Sequence, residues 1–185
     1  MDRLVPASSL LLVVDVQERL AAAMPGEALE RLVRNTRLLI EAAAVVGVPI
    51  LASEQYPKGL GPTLPQIAEL LDRLGAPRFE KVDFDATAAP RLSAEIGRVA
   101  PRAVVVVGME AHVCVFQTAR ELLLRGHLVH VVGDAVASRT EENRRAGLAL
   151  AERAGAIPTV AEAVAFDWVE RAGTDAFRAV SKLVR

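Results

Sequence analysis

Four consecutive valines, Val104, Val105, Val106 and Val107, end at Gly108, and no polar residue interrupts them. An unbroken β-branched run of this length suits a strand buried on both faces, which in turn implies a parallel sheet with helices on either side. From about Ala111 the apolar residues change to helical spacing, with Val115, Ala119, Leu122 and Leu123 on one side. Cys114, the only cysteine of the chain, falls near the start of that helix. Backbone N–H groups and the helix dipole at such a position favour a thiolate, so Cys114 is the first candidate for a reactive centre.

The same alternation runs through the chain. Strands are expected over residues 9–14, 48–53, 78–82, 103–107, 128–132 and 157–160. Helices are expected over 27–46, 65–74, 90–99, 114–125 and from the Thr140 cap to Ala154, with a short helical turn within 16–23. Residues 54–65 hold three prolines and two glycines and read as an irregular loop, as do 85–89 and 133–139. The tail, 161–185, should be helical in two pieces broken near Gly173, with Thr174 as the second cap. Strand alternating with helix over 185 residues predicts one domain, 1–185, a three-layer α/β/α sandwich around a parallel sheet.

Composition narrows the function classes. A formal net charge of −1 and no Lys/Arg block longer than two give no footprint for nucleic acid or an anionic membrane. The N-terminal apolar run lacks the basic start and cleavage site of a signal peptide, and no run reaches the roughly 18 residues a membrane span needs. One cysteine leaves no internal disulfide framework and points to the reducing cytoplasm.

Ligands of open parallel sheets bind beyond the carboxyl ends of the strands. That edge receives Asp15 and Gln17 from the first strand, and Ser53, Glu54, Gln55 and Tyr56 from the second. The third delivers Lys81, Phe84 and Asp85, the fourth Glu110, His112 and Cys114, and the fifth Asp134 and Ser138. Asp15 is either a helix N-cap or a general base. Lys81 is either a solvated strand end or a cation that keeps Asp15 charged and lowers the thiol pKa. Cys114 is either a small core hydrophobe or a nucleophile. His112, two residues from Cys114, does not share its helix face and reads as a pocket or surface residue. His127 and His130 read as structural. No pair of histidines has metal-ligand spacing, Tyr56 stands where a loop histidine would be needed, and Gly59 and Gly61 start no GxGxxG, so neither metal nor dinucleotide cofactor is expected.

Taken together, LLVVDVQ, ASEQYPKGLGPT, FEKVDF, VVVVGMEAHVCV and HVVGDAVASR resemble, in order and over the whole chain, the isochorismatase-like cysteine hydrolases, most nearly the small isochorismatase domain-containing proteins. The resemblance implies a six-stranded, Rossmann-like parallel sheet and a catalytic triad of Asp15, Lys81 and Cys114. Asp15 would take the thiol proton, Cys114 would attack a carbonyl carbon, and water would hydrolyse the acyl-enzyme. It also implies a cis peptide at Met109–Glu110 and an oxyanion hole made by the backbone N–H groups of Glu110 and Cys114. Gln17, Tyr56, Phe84 and His112 are the expected pocket residues, the substrate a small molecule, and the assembly a homo-oligomer, dimeric, tetrameric or larger. Ala111 stands where many members carry Thr. The SEQYPKGLG loop lacks the metal ligands of nicotinamidases, and members that cleave vinyl ethers tend to lack the cysteine. An amide-like C–N or ester bond is therefore the expected target. A non-catalytic or ligand-binding member and an isochorismate-type vinyl-ether hydrolase are the alternatives.

Overall fold

The computed structural model describes residues 3–184; Met1, Asp2 and Arg185, at the ends of the expected domain and of its last helix, lie outside the described residues. Six strands, β1 (Ser9–Val14), β2 (Ile50–Gln55), β3 (Arg78–Lys81), β4 (Ala103–Met109), β5 (Leu128–Ala137) and β6 (Ile157–Thr159), pair in the order β3-β2-β1-β4-β5-β6. Every pair is parallel, as the apolar runs required. The order reverses between β1 and β4, which leaves a crevice at their carboxyl ends, where ligands of such sheets bind.

Side chains of successive strand residues point to opposite faces, and both faces are covered. On one face Leu11, Val13, Val105 and Val107 pack with α2 (Gly26–Val46), α4 (Pro65–Arg73), α8 (Ala161–Val169) and α9 (Asp175–Leu183). On the other, Leu10, Leu12, Val104 and Val106 pack with α5 (Pro90–Val99), α6 (Phe116–Leu124) and α7 (Glu141–Arg153). In α2 the apolar stripe Leu32, Leu39, Ile40 and Ala43 is buried, and the helix stops where Gly47 turns left-handed at φ 77°. Thr140 and Thr174 cap α7 and α9 as expected, accepting hydrogen bonds from the N–H groups of Asn143 (3.1 Å) and Phe177 (3.0 Å). Among the described residues no helix is long and apolar enough to cross a membrane.

The structure differs from the expected boundaries in three places near the functional edge. β5 continues through Gly133 and Asp134 to Ala137, because Val136 and Ala137 pair with Gly108 and Met109 after a register shift in β4. A bulge of this kind, set by a partner strand far away in sequence, leaves no local signal. The expected loop 54–65 begins with the last residues of β2 and contains the one-turn helix α3 (Pro57–Leu60), started by Pro57. The helix carrying Cys114 opens with a π-helical turn, Ala111–Val115, before α6. A short α1 (Glu18–Ala21) follows β1. In the C-terminal segment Trp168 is buried and its Nε1–H donates to Ser9 Oγ at 3.3 Å, while Phe166 and Phe177 pack on each other at 6.2 Å between ring centres. Trp168 is thus part of the core.

Candidate active site

Asp15 is the residue on which the crevice is built. It follows β1 with φ 51°, a left-handed conformation uncommon for a residue other than glycine. Its backbone N–H donates to Ser53 O at 3.1 Å, which continues the β1–β2 ladder one residue beyond Val14. Its carboxylate is fully buried and doubly engaged: Ser53 Oγ–H donates to Oδ1 at 2.8 Å, and Lys81 Nζ donates to Oδ2 at 2.7 Å. Asp15 caps no helix; Gln17 holds the N-cap position of α1.

Lys81 ends β3, but it is not solvated. Its ammonium is surrounded by four oxygens, Asp15 Oδ2 (2.7 Å), Gln55 Oε1 (2.6 Å), Asp83 O (3.1 Å) and Phe84 O (3.2 Å). The register explains the meeting. Gln55 pairs with Lys81 across β2–β3, and Ser53 pairs with Val14 across β1–β2, so three strand ends converge on one carboxylate. A buried ammonium needs such partners, because an unpaired charge at this depth costs several kcal/mol.

Cys114 approaches the pair from β4. Cys114 is 5% exposed, packed in the core layer with Val115 and Ala119, and near enough to Asp15 and Lys81 for both charges to act on its thiol. The thiolate expected from a helix start is not the resting form. Burial first, then the negative charge of Asp15, push the Cys114 thiol up to about 12, and the opposing pull of Lys81 is smaller. A helix start and a nearby cation are local signals, whereas the burial that outweighs them arises from the whole layer above the sheet.

The peptide bond Met109–Glu110 is cis. Glu110 is buried, and its Oε2 accepts from the backbone N–H and the Nε–H of Arg139, both at 3.1 Å, tying the end of β5 to the start of the π-helical turn. His112 Nδ1 lies 3.1 Å from Ser138 Oγ, a second tie between the same segments. Ala111 is buried beneath them. His127 Nδ1–H donates to Pro101 O at 2.7 Å and His130 is buried in β5, so both are structural.

The expected pocket residues separate into two groups. Tyr56 and Phe84 are each more than half exposed. Tyr56, left-handed at φ 36°, lines a cleft of about 400 Å³ with Pro57, Glu80, Val82 and Asp83; its lining reaches Lys81 and stops short of Cys114. Gln17, in contrast, is fully buried and spends its amide on the chain itself. Nε2 donates to Gln55 O (3.0 Å) and Gly61 O (2.7 Å), and Oε1 accepts from Gln55 N–H (2.7 Å). It braces β2 and the loop after it. Ser53 and Gln55, placed at the edge by sequence but given no role, turn out to be the direct partners of Asp15 and Lys81. Among the described residues no three His, Cys, Asp or Glu side chains are grouped to hold a metal ion.

The chain and its fold have relatives among known proteins. The model of the isochorismatase domain matches residues 9–163. Along its whole length the chain is 35% identical to 88% of the secreted isochorismatase effector Isc1 of Phytophthora sojae. It is 33% identical, again over its whole length, to 86% of isochorismatase domain-containing protein 2A of Mus musculus. Among solved structures it superimposes on the MAR1 ribonuclease from Caenorhabditis elegans with a TM-score of 0.90 and 38% identity, over 99% of this chain and 92% of that one.

Proposed function

The chain belongs to the isochorismatase family of hydrolases, and from that premise we propose that it is a cysteine-dependent hydrolase of a small amide-like or ester substrate. The observation that carries this reading is the meeting of one buried carboxylate, one buried ammonium and the only thiol of the chain at the crevice between β1 and β4. A carboxylate beside a thiol can act as base, and a cation beside both offsets the charge that moves between them.

The reaction follows in two halves. As Sγ bonds to the carbonyl carbon, its proton passes to Asp15 and the carbonyl electron pair moves to oxygen. That oxyanion is received by the backbone N–H groups of Glu110 and Cys114. Asp15 then gives its proton to the departing amine or alcohol as the C–N or C–O bond breaks, leaving a thioester. In the second half water loses a proton to Asp15 and attacks the thioester, and the released sulfur takes the proton back. Lys81 keeps its positive charge throughout. A thiol held protonated at rest suits this sequence, because the nucleophile forms only when a substrate is in place to accept it.

The substrate is read as small, entering past Tyr56, Phe84 and His112. Val82 and Tyr56 stand exposed at the cleft and Phe84 is exposed two residues after Val82, and association of copies over these apolar side chains would shelter the site. A cytoplasmic location is supported by the single unpaired thiol, although the Phytophthora relative is called secreted. The Caenorhabditis chain is described as a ribonuclease; here a net charge of −1 with no basic run favours a small uncharged substrate over a polyanion. A screen of amides, carbamates, esters and a single-stranded RNA, with Cys114→Ala as control, tests the reading. Turnover of a small amide or ester that the variant loses supports it. RNA cleavage alone, or turnover that survives in the variant, overturns it.

A further inference from the structure

A glycine inside a helix weakens it, so a buried one has a packing reason. Gly147 is buried in the middle of α7. A Cβ at this position would stand 2.5 Å from both Ala111 O and His112 N, and closer still to the Ala111 carbonyl carbon. These are backbone atoms and cannot rotate aside. Gly97, in the last turn of α5, has no heavy atom from outside its own helix within 4 Å of the equivalent point. Ala111 and His112 open the π-helical turn that carries Cys114, so α7 rests directly on the backbone behind the sulfur.

The segment leading into α7 holds the same turn from outside. Arg139 bonds Glu110 Oε2 through both its backbone N–H and its guanidinium, and its side chain is otherwise largely exposed. The turn is therefore clamped between the end of β4 and α7, with close contact on the inside and an ion pair at the rim. We infer that α7 is the wall that sets the place of Cys114 Sγ beside Asp15 and Lys81, with Gly147 the positioning residue at the close contact and Arg139 the strap. Neither residue touches substrate. The inference rests on the reading of Cys114 as nucleophile, but its consequence, the seating of the thiol, is measurable without turnover.

Alkylation of Cys114, the only thiol, by iodoacetamide from pH ~7 to ~10.5 gives that measurement. It is made on the wild type, Gly147→Ala, Arg139→Gln, Arg139→Lys and Gly97→Ala, with p-nitrophenyl acetate hydrolysis followed in parallel. In Gly147→Ala the turn is pushed off α7, the thiol loses cover, and the alkylation midpoint falls toward that of an ordinary thiol, with roughly tenfold faster labelling at neutral pH. Its kcat on p-nitrophenyl acetate falls about 100-fold with KM little changed, the effect of misplacing a reacting atom by about 1 Å. Arg139→Gln moves the alkylation profile in the same direction by less, Arg139→Lys returns it toward wild type, and Gly97→Ala matches wild type throughout. A folded Gly147→Ala with the wild-type alkylation profile overturns the inference. If that variant yields no folded protein, Arg139→Gln decides: a shifted profile supports the wall, an unchanged one overturns it. A wild type inert toward p-nitrophenyl acetate counts against the hydrolase reading alone, and the alkylation profiles still judge the inference.

Discussion

Lys81 Nζ lies 2.7 Å from Asp15 Oδ2, with the two side chains 1% and 0% exposed. Sixty-six residues separate them in the chain, and they meet because β3 and β1 flank β2 in register. Removing one partner leaves the other as an uncompensated buried charge, which costs about 3–5 kcal/mol. Lys81→Met is therefore expected to lower the free energy of unfolding by about that amount, measured by urea titration. Combining it with Asp15→Asn should cost less than the sum of the two single changes. Additive losses would mean that the pair is not coupled.

The raised thiol pKa makes a pH-dependent prediction. Cys114 holds its proton up to about 12 in the folded protein, against an ordinary value of 9.0. Between those values the unfolded chain has lost the proton and the folded chain has kept it, so the unfolded state binds fewer protons and stability falls as pH rises. The limiting slope is about 1.4 kcal/mol per pH unit. Cys114→Ala removes this contribution. The stability of the wild type relative to the variant should be flat below pH ~9 and decline above it. Parallel curves in urea titrations at successive pH values would contradict the buried, protonated thiol.

At the acid side the group to follow is His130. Burial in β5 lowers its pKa from 6.5, opposed by the nearby charge of Asp167. A depressed imidazole contributes stability above the unfolded value that is lost as pH falls through the folded one. His130→Gln should therefore reduce the loss of stability below pH ~6.5, seen as a smaller fall in Tm between neutral and mildly acid buffers. An unchanged acid dependence would assign that loss to other groups.

Gln17 and Gly108 make the case that the edge is rigid by construction. Replacing Gln17 with Leu strands Gln55 N–H and the carbonyls of Gln55 and Gly61 without their partner. Each buried group left unpaired costs about 1–3 kcal/mol, and a total loss of about 3 kcal/mol is expected in urea titration. Gly108 has φ 122°, and a Cβ there would overlap the Val14 carbonyl, immediately before Asp15. Gly108→Ala is expected to lose more than about 4 kcal/mol or to fail to accumulate as folded protein. A Gly108→Ala protein as stable as wild type would mean that β4 can shift away from β1 at this point.

Much of this was legible in the residues. The valine run, LLLVV, Asp15 and Lys81 at strand ends and Cys114 at a helix start are local patterns, and a parallel sheet brings strand ends to one edge whatever the order of its strands. Register was not legible. Ser53 and Gln55 look like any polar residues at the end of a strand until pairing sets them against Val14 and Lys81. The extension of β5 to Ala137 depends on a shift in its partner, and the Glu110–Arg139 tie joins residues 29 apart across that shift. Gln17, an expected pocket residue, is fully buried. Its burial comes from the loop that closes over it through the Gln17–Thr63 bridge. The helix start and the cation beside Cys114 are local features, whereas the core layer that buries the thiol and raises its pKa is not.

A covalent intermediate on Cys114 is tested most directly by the mass of the intact protein quenched in acid during turnover of p-nitrophenyl acetate. An acetyl group on Cys114, formed as fast as nitrophenol is released and lost on standing, is the predicted result. Cys114→Ala should show no adduct, and Asp15→Asn should form it slowly. Steady turnover with no adduct in any quench, or an acetyl group carried on another residue, would contradict a mechanism that passes through the Cys114 sulfur.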